Sequence, residues 1–401
     1  MRFAHLADLH IGSWRDPAMK ELSLEAFKRA IASIIDKHLD FVVISGDLFN
    51  TALPAIDHLQ ETVILLKRLK QKDIPVYIVP GSHDYNAGGR TILDVLEEAD
   101  LLINVMKGSV IDGKLRLKFT IDSKTGAKLT GLGGRRGSLE KKEYSALDLS
   151  SLENEPGFKI FMFHSAIDEL KPDDLERMES MSAKELPKGF GYYAGGHVHI
   201  VEHKDVAGRK NLVYPGPIFP ASFSELWKLE KGGFYIYEDG KLEFQPLELK
   251  KVVKLELDAE GKTPEKLNNE LESFAEHKTF ADSIVLVRAA GKLLHGRPGD
   301  VDFGRFFREI YEKGAFFIMR NTSRLASEEF SEVKVHSGTA DEIEDEIIRQ
   351  HLSEQKNKLP GIDADMVKAL IRAMSEEQRD GEKKYEYEER IKKDVDKLFL
   401  P

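Results

Sequence analysis

The stretch Phe3-Ala4-His5-Leu6-Ala7-Asp8-Leu9-His10 decides how the chain is read, because a largely apolar run of strand length ends abruptly in two metal-ligand side chains. The same event recurs four times. Phe41 to Ser45 runs into Gly46-Asp47, Val76 to Val79 into Gly81-Ser82-His83-Asp84, Ile160 to Phe163 into His164, and Tyr192 to Ala194 into Gly195-Gly196-His197-Val198-His199. Short apolar runs of this length read as strands. Each would deliver ligand-type side chains at its carboxyl end, where open α/β sheets build their sites. A lone His after a strand is most often structural. Three Asp and five His gathered at successive strand ends would be poorly satisfied as core residues without a counter-ion.

Working outward, helical periodicity fills the gaps between the first runs, over about Ala18 to Lys37 and Ile56 to Lys72. Strand–helix–strand alternation predicts an α/β domain with a largely parallel sheet. Later segments are richer in strands: Phe158 to Phe163, Gly191 to Ala194, Asn211 to Tyr214 and Gly233 to Tyr237. The expected fold is therefore a mixed two-sheet α/β sandwich over residues 1–249. Val252 to Leu257, Thr263 to Phe274, Ser283 to Arg288, Phe303 to Glu312 and Ala315 to Met319 then form a β-α-β-α-β pattern, placing a small α+β domain at 250–330. From 331 to 401 the chain is acidic and helical. Ile343, Ile347, Ile348 and Leu352 share one face, Met366, Leu370, Ile371 and Met374 another, with Pro360-Gly361 between, and a last helix runs from Lys384 to Leu400.

Composition narrows the chemistry. With no Cys in 401 residues, disulfides, thiolate metal sites and cysteine nucleophiles are excluded. No run approaches the ~18 apolar residues that span a bilayer, and Met1 leads straight into a strand, so an unexported, cytoplasmic protein is expected. The net charge of −10 at first argues against a nucleic-acid substrate, but half of that excess sits in the segment from Ser331 to Pro401. Divalent cations can make a catalytic face locally positive. A mixed Asp/His set without Cys suits Mn²⁺, Fe or Zn²⁺. A carboxylate bridging two ions is the usual two-metal solution for hydrolysing a phosphate ester.

The ordered set Asp8-x-His10, Gly46-Asp47, Gly81-Ser82-His83-Asp84, His164 and Gly196-His197-x-His199 resembles the calcineurin-like metallophosphoesterase superfamily. Phe3 to Gly12, Gly46-Asp47-Leu48-Phe49-Asn50 and Tyr214-Pro215-Gly216 narrow the similarity to archaeal double-strand-break repair nucleases and SbcD-like exonuclease subunits. The resemblance implies two Mn²⁺ ions. Asp8, His10, Asp47 and His199 would hold one, and Asp47 would bridge to a second held by Ser82, His164 and His197. His83 would act as general acid, with Asp84 orienting its ring. Ser82 departs from the family's Asn and offers a shorter, weaker ligand. His164-Ser165-Ala166 departs from the usual His-Gln-Gly. The resemblance further implies DNA end processing by exonuclease and endonuclease action, a domain that caps DNA, and a nucleoid-associated role. It also implies a tail that clasps a coiled-coil ABC-type ATPase, and a homodimer built around Leu53 to Leu69. It assigns no residue to DNA contact. The same chemistry could instead serve a phosphoprotein or small phosphoester, and a site degraded at Ser82 would leave an architectural DNA-end subunit.

Several features read more simply. Gly108 to Lys114 imitates a phosphate-binding loop, but Leu115 replaces the hydroxyl residue such a loop needs. Val110 to Thr120 is read as a hairpin turning at Asp112-Gly113. Lys67, Arg68, Lys70 and Lys72 read as a solvated helix end, the Gly131 to Gly137 loop with Arg135 and Arg136 as a surface loop, and Glu344-Asp345-Glu346 as a solvated face. His5 is expected inside a buried strand. No Gly-x-Ser-x-Gly elbow supports a serine hydrolase.

Overall fold

The computed structural model describes residues 1–85, 91–134, 141–172, 175, 178–328, 348–349, 363–376 and 384–399. Arg135, Arg136, Ile343, Ile347, Leu352, Pro360-Gly361 and the Glu344-Asp345-Glu346 run lie outside them. The strands, in chain order, are β1 (Arg2–Leu6), β2 (Phe41–Ser45), β3 (Val76–Val79), β4 (Ile103–Asn104), β5 (Gly108–Ile111), β6 (Lys114–Leu117), β7 (Thr120–Ile121), β8 (Lys128–Leu132), β9 (Lys159–His164), β10 (Tyr192–Gly196), β11 (Val201–Val206), β12 (Arg209–Pro215), β13 (Gly232–Glu238), β14 (Lys241–Leu247), β15 (Lys251–Asp258), β16 (Ser283–Leu293) and β17 (Phe317–Ser327). One six-stranded sheet runs β14-β13-β1-β2-β3-β4 and a second runs β11-β12-β10-β9-β8-β7. Strands β1 to β4 are mutually parallel, as are β8, β9, β10 and β12, with antiparallel strands toward the edges.

Period-two alternation explains why these strands look uniformly apolar. In β2, Val42 and Ile44 join the core beneath the helices, while Phe41 and Val43 face the second sheet. In β9, Ile160 and Met162 meet them across the interface, and Phe161 and Phe163 pack outward. Phe3 stacks on Phe41 at 4.9 Å and on Tyr237 at 4.8 Å in the layer between the sheets. Helices α1 (Pro17–Asp36) and α2 (Ile56–Gln71) cover the outer face of the first sheet. Helix α1 begins where sequence chemistry says it should, with Asp16 accepting from the Ala18 amide at 2.9 Å and proline in its first turn. The expected two-sheet α/β sandwich is what forms. Asp112 and Gly113 both adopt positive φ between β5 and β6, so the phosphate-loop lookalike is a two-residue hairpin turn.

Short helices α3 (Ile92–Glu98), α4 (Lys141–Ser145), α5 (Leu149–Glu153) and α6 (Phe223–Leu229) complete this body. Strands β15, β16 and β17 form a parallel three-stranded sheet with α7 (Pro264–His277) and α8 (Phe303–Glu312) on one face. Alternation again divides β16: Val285, Val287 and Ala289 pack under those helices, whereas Ile284 and Leu286 join the core of the first body. On that second face the Arg288 guanidinium lies 4.0 Å above the Trp227 ring of α6. In the tail, α9 (Ala364–Met374) and α10 (Lys384–Phe399) pack together, and the Tyr387 hydroxyl donates to the Glu376 carbonyl at 3.0 Å. Among the described residues no helix is long and apolar enough to cross a membrane.

Candidate metal centre

The carboxyl ends of β1, β2 and β3 from one sheet meet those of β9 and β10 from the other, and the five ligand segments converge at that seam. The ladder continues past the strands: the Asp8 amide donates to Gly46 at 3.2 Å and the His10 amide to Asp47 at 3.0 Å. Side chains there are aimed inward by left-handed backbone. Asp8, His10, Asp47, His197 and His199 have φ values of 51°, 40°, 53°, 97° and 54°. Such conformations are tolerated best by Asp, Asn and His among non-glycine residues and cluster at functional sites. Gly46, at φ +85°, is obligatory for a second reason: a Cβ would lie 2.2 Å from His164 Nδ1.

Three overlapping groups bring ligand atoms within 4.8 Å of one another: Asp8, His10 and His199; Asp8, Asp47 and His164; and His10, Asp47 and His83. His10 Nε2 and His199 Nε2 face each other at 3.0 Å, and Asp47 Oδ2 lies 3.5 Å from His10 Nε2 and 3.2 Å from His164 Nε2. Asp8 Oδ1 is 3.8 Å from His199 Nε2, and the Asp8 carboxylate accepts the His197 amide at 2.9 Å. His197 itself lies against His164, ring centroids 5.0 Å apart, outside the three groups. Ser82 is half-buried in the turn after β3.

Hydrogen bonding at the far side of two rings fixes their tautomers. The His164 Nδ1–H donates to the Ser45 carbonyl at 2.8 Å, and His199 Nδ1 lies 3.2 Å from Glu225 Oε2. Both then present Nε2 to the centre. His164 Nε2 makes no aligned hydrogen bond there, although it is fully buried. Ring nitrogens and carboxylate oxygens crowded together this way, with His164 Nε2 making no aligned hydrogen bond, suit a divalent cation. Burial pushes His164 down, but Asp47 and Asp8 outweigh it and hold it up at about 10. Burial likewise opposes protonation of His199, and Asp8 and Glu225 raise it to about 9. Burial lowers His10 and His197 to about 3, and the neighbouring histidines push the same way. Asp47 would be raised by burial, yet His164 and His10 drive it well below the usual carboxylate range.

One expected role is corrected. Asp84 does not touch the His83 ring; its buried Oδ2 accepts the amides of Gly81 at 2.8 Å and Asp47 at 2.9 Å, pinning the two ligand loops together. Burial, with repulsion from Asp47, raises it to about 7. The His83 Nδ1–H instead donates to the Asn50 carbonyl at 2.7 Å, leaving Nε2 toward the site, and the His83 amide donates to Asp47 Oδ1 at 2.8 Å. Sequence reasoning missed Asn50 and Glu225. A carbonyl carries no side-chain signal, but Ser222-x-x-Glu225 is a legible helix-capping pattern. His5 is buried as expected, between the Tyr192 hydroxyl at 2.9 Å and the Ser45 hydroxyl at 3.0 Å. A cleft of about 490 Å³ opens beside His197 and His199, walled by Met178, Ile200, Val201 and Leu229.

The sequence profile of calcineurin-like phosphoesterases matches residues 1–201. The chain is similar to DNA double-strand break repair proteins Mre11 of archaea. It is 27% identical to that of Archaeoglobus fulgidus over 65% of this chain and 62% of the relative. It is 27% identical to that of Methanopyrus kandleri over 62% and 57%, and 27% identical to that of Methanocaldococcus jannaschii over 93% and 94%. The matched region thus spans about three-fifths of the first two relatives and nearly all of the third.

Proposed function

Because the chain belongs to the calcineurin-like phosphoesterase family, we propose that it is a two-metal DNA phosphodiesterase that processes broken ends, as a double-strand exonuclease and single-strand endonuclease. The observation that carries this reading is the convergence of His164 Nε2, His199 Nε2, His10 Nε2 and the two carboxylates of Asp8 and Asp47 at the seam. Asp8, His10, Asp47 and His199 would hold one ion, and Asp47, Ser82, His164 and His197 a second. When bound, divalent cations, Mn²⁺ for this donor set, neutralise charge on the phosphate and acidify an attacking water. The remaining work falls to the chain. His83 keeps its Nδ1–H on the Asn50 carbonyl, so in the imidazolium form its Nε2–H faces the site, passes that proton to the leaving oxygen and leaves the ring as neutral imidazole. Asp84 and Gly81 hold its loop against Asp47. The relatives' names support DNA as substrate.

In this reading residues 250–330 cap the DNA and residues 331–401 dock a coiled-coil ABC-type ATPase, a role supported by Ile371 and Met374 lying exposed on α9. Leu53, Ile56 and Ile64, all exposed on or before α2, pair two copies into a homodimer. The protein then works in the cytoplasm on the nucleoid.

End-labelled duplex DNA with Mn²⁺ provides the test, comparing wild type, Ser82→Asn and His83→Leu. Wild type should cut, Ser82→Asn should cut at least as well, and His83→Leu should lose about 10²–10⁴-fold in rate while retaining metal and DNA. If no variant cuts with any divalent ion, the nuclease reading fails, and small phosphoesters become the substrates to try.

A further inference from the structure

Glu225 lies outside every ligand group, yet it is built into the centre. It is the third residue of α6, and its two carboxylate oxygens have separate tasks. Oε1 accepts the Ser222 hydroxyl at 3.0 Å, while the Ser222 Oγ accepts the Glu225 amide at 3.2 Å, which caps the helix. Oε2 is not needed for that cap. It accepts the Ala221 amide at 2.8 Å and lies 3.2 Å from His199 Nδ1. The helix is itself anchored, with Leu226 fully buried in the core and Trp227 under Arg288. A carboxylate oxygen held by the Ala221 amide is therefore presented to the outer nitrogen of a histidine whose inner nitrogen is 3.0 Å from His10 Nε2.

Resting on the metal-centre reading above, we propose that Glu225 is a positioning residue: it fixes the His199 tautomer and ring so that Nε2 is offered to the cation. A carboxylate behind a ligating imidazole makes it a stronger donor, and loss of such a group weakens metal affinity about 10–100-fold. Nothing in this role places Glu225 on substrate.

The test is Mn²⁺ binding by the full chain, with free Mn²⁺ read by electron paramagnetic resonance, for wild type, Glu225→Gln and Ser222→Ala. Glu225→Gln keeps the side-chain shape but removes the charge, whereas Ser222→Ala removes the cap and leaves Oε2 in place. One of two ions should bind about 10–100-fold more weakly to Glu225→Gln, with Ser222→Ala within about twofold of wild type, and circular dichroism should show all three folded. Glu225→Gln binding both ions like wild type would overturn the proposal. Equal weakening in both variants would overturn it too, reducing Glu225 to a helix cap. Wild type binding no divalent cation would instead bring down the metal-centre reading itself.

Discussion

At the scale of single residues, the cluster is a set of groups whose protonation would have to change on binding a cation. Against burial, Asp47 and Asp8 hold His164 up at about 10, and Asp8 and Glu225 hold His199 up at about 9, which favours the protonated rings at neutral pH. A bound cation needs those nitrogens neutral and must displace the protons. The sign follows: binding releases protons, and apparent affinity strengthens as pH rises toward those values and weakens as it falls. For each ion that displaces one proton, the apparent Kd for Mn²⁺ should drop about tenfold per pH unit between roughly pH 6 and 8. Calorimetry in buffers of different ionisation heat checks this, and a pH-independent Kd would show that the histidines are already neutral. Residue identity was also what the sequence displayed best. Asp8, His10, Asp47, His164 and His199 were legible because each ends an apolar run. Asp84 was legible as important but misread in role, since nothing in the order Ser82-His83-Asp84 says whether its carboxylate turns to the next ring or back to the Gly81 and Asp47 amides.

Among secondary-structure elements, legibility tracked burial. Strands β1, β2, β3 and β9 stood out because both faces are covered and every position is apolar or nearly so. Strand β11, Val-Glu-His-Lys-Asp-Val, went unread because it is a largely exposed edge strand with no apolar face. Helix α6 is too short to show a period, and only its cap pattern marks it. The turns that follow the strands are as demanding as the strands. A methyl group at position 46 would strike His164 on a backbone of the wrong hand. Gly46→Ala should therefore abolish Mn²⁺ binding and DNA cleavage and lower the denaturation temperature by on the order of 5–10 °C. A variant that unfolds like wild type and still binds two ions would show that the β2 turn yields more than its packing indicates.

For the whole molecule, the exposed Leu53 and Ile56, at 74% and 76% accessibility, are large apolar groups standing in water beside the site-bearing sheet. Burying both against a second copy would give roughly 3–6 kcal/mol per chain. A Leu53→Asp/Ile56→Asp double variant should run as a monomer in light scattering where wild type runs as a dimer. It should lose activity on duplex ends while keeping its rate on a small diester. Wild type already monomeric at micromolar concentration would remove the dimer from the reading.

The stacking of Arg288 on Trp227 ties two bodies of the chain together through α6, the same short helix that faces His199 with Glu225. Linkage is reciprocal: if Glu225 seats His199 for a cation as proposed, a change in the three-stranded unit that alters the cost of seating α6 would alter cation affinity by some factor, and loading the cation would bias that unit by the same factor. On that reading the three-stranded unit and a bound cation would share one free-energy account, and whatever grips the former from outside would act, in effect, as a ligand of the latter.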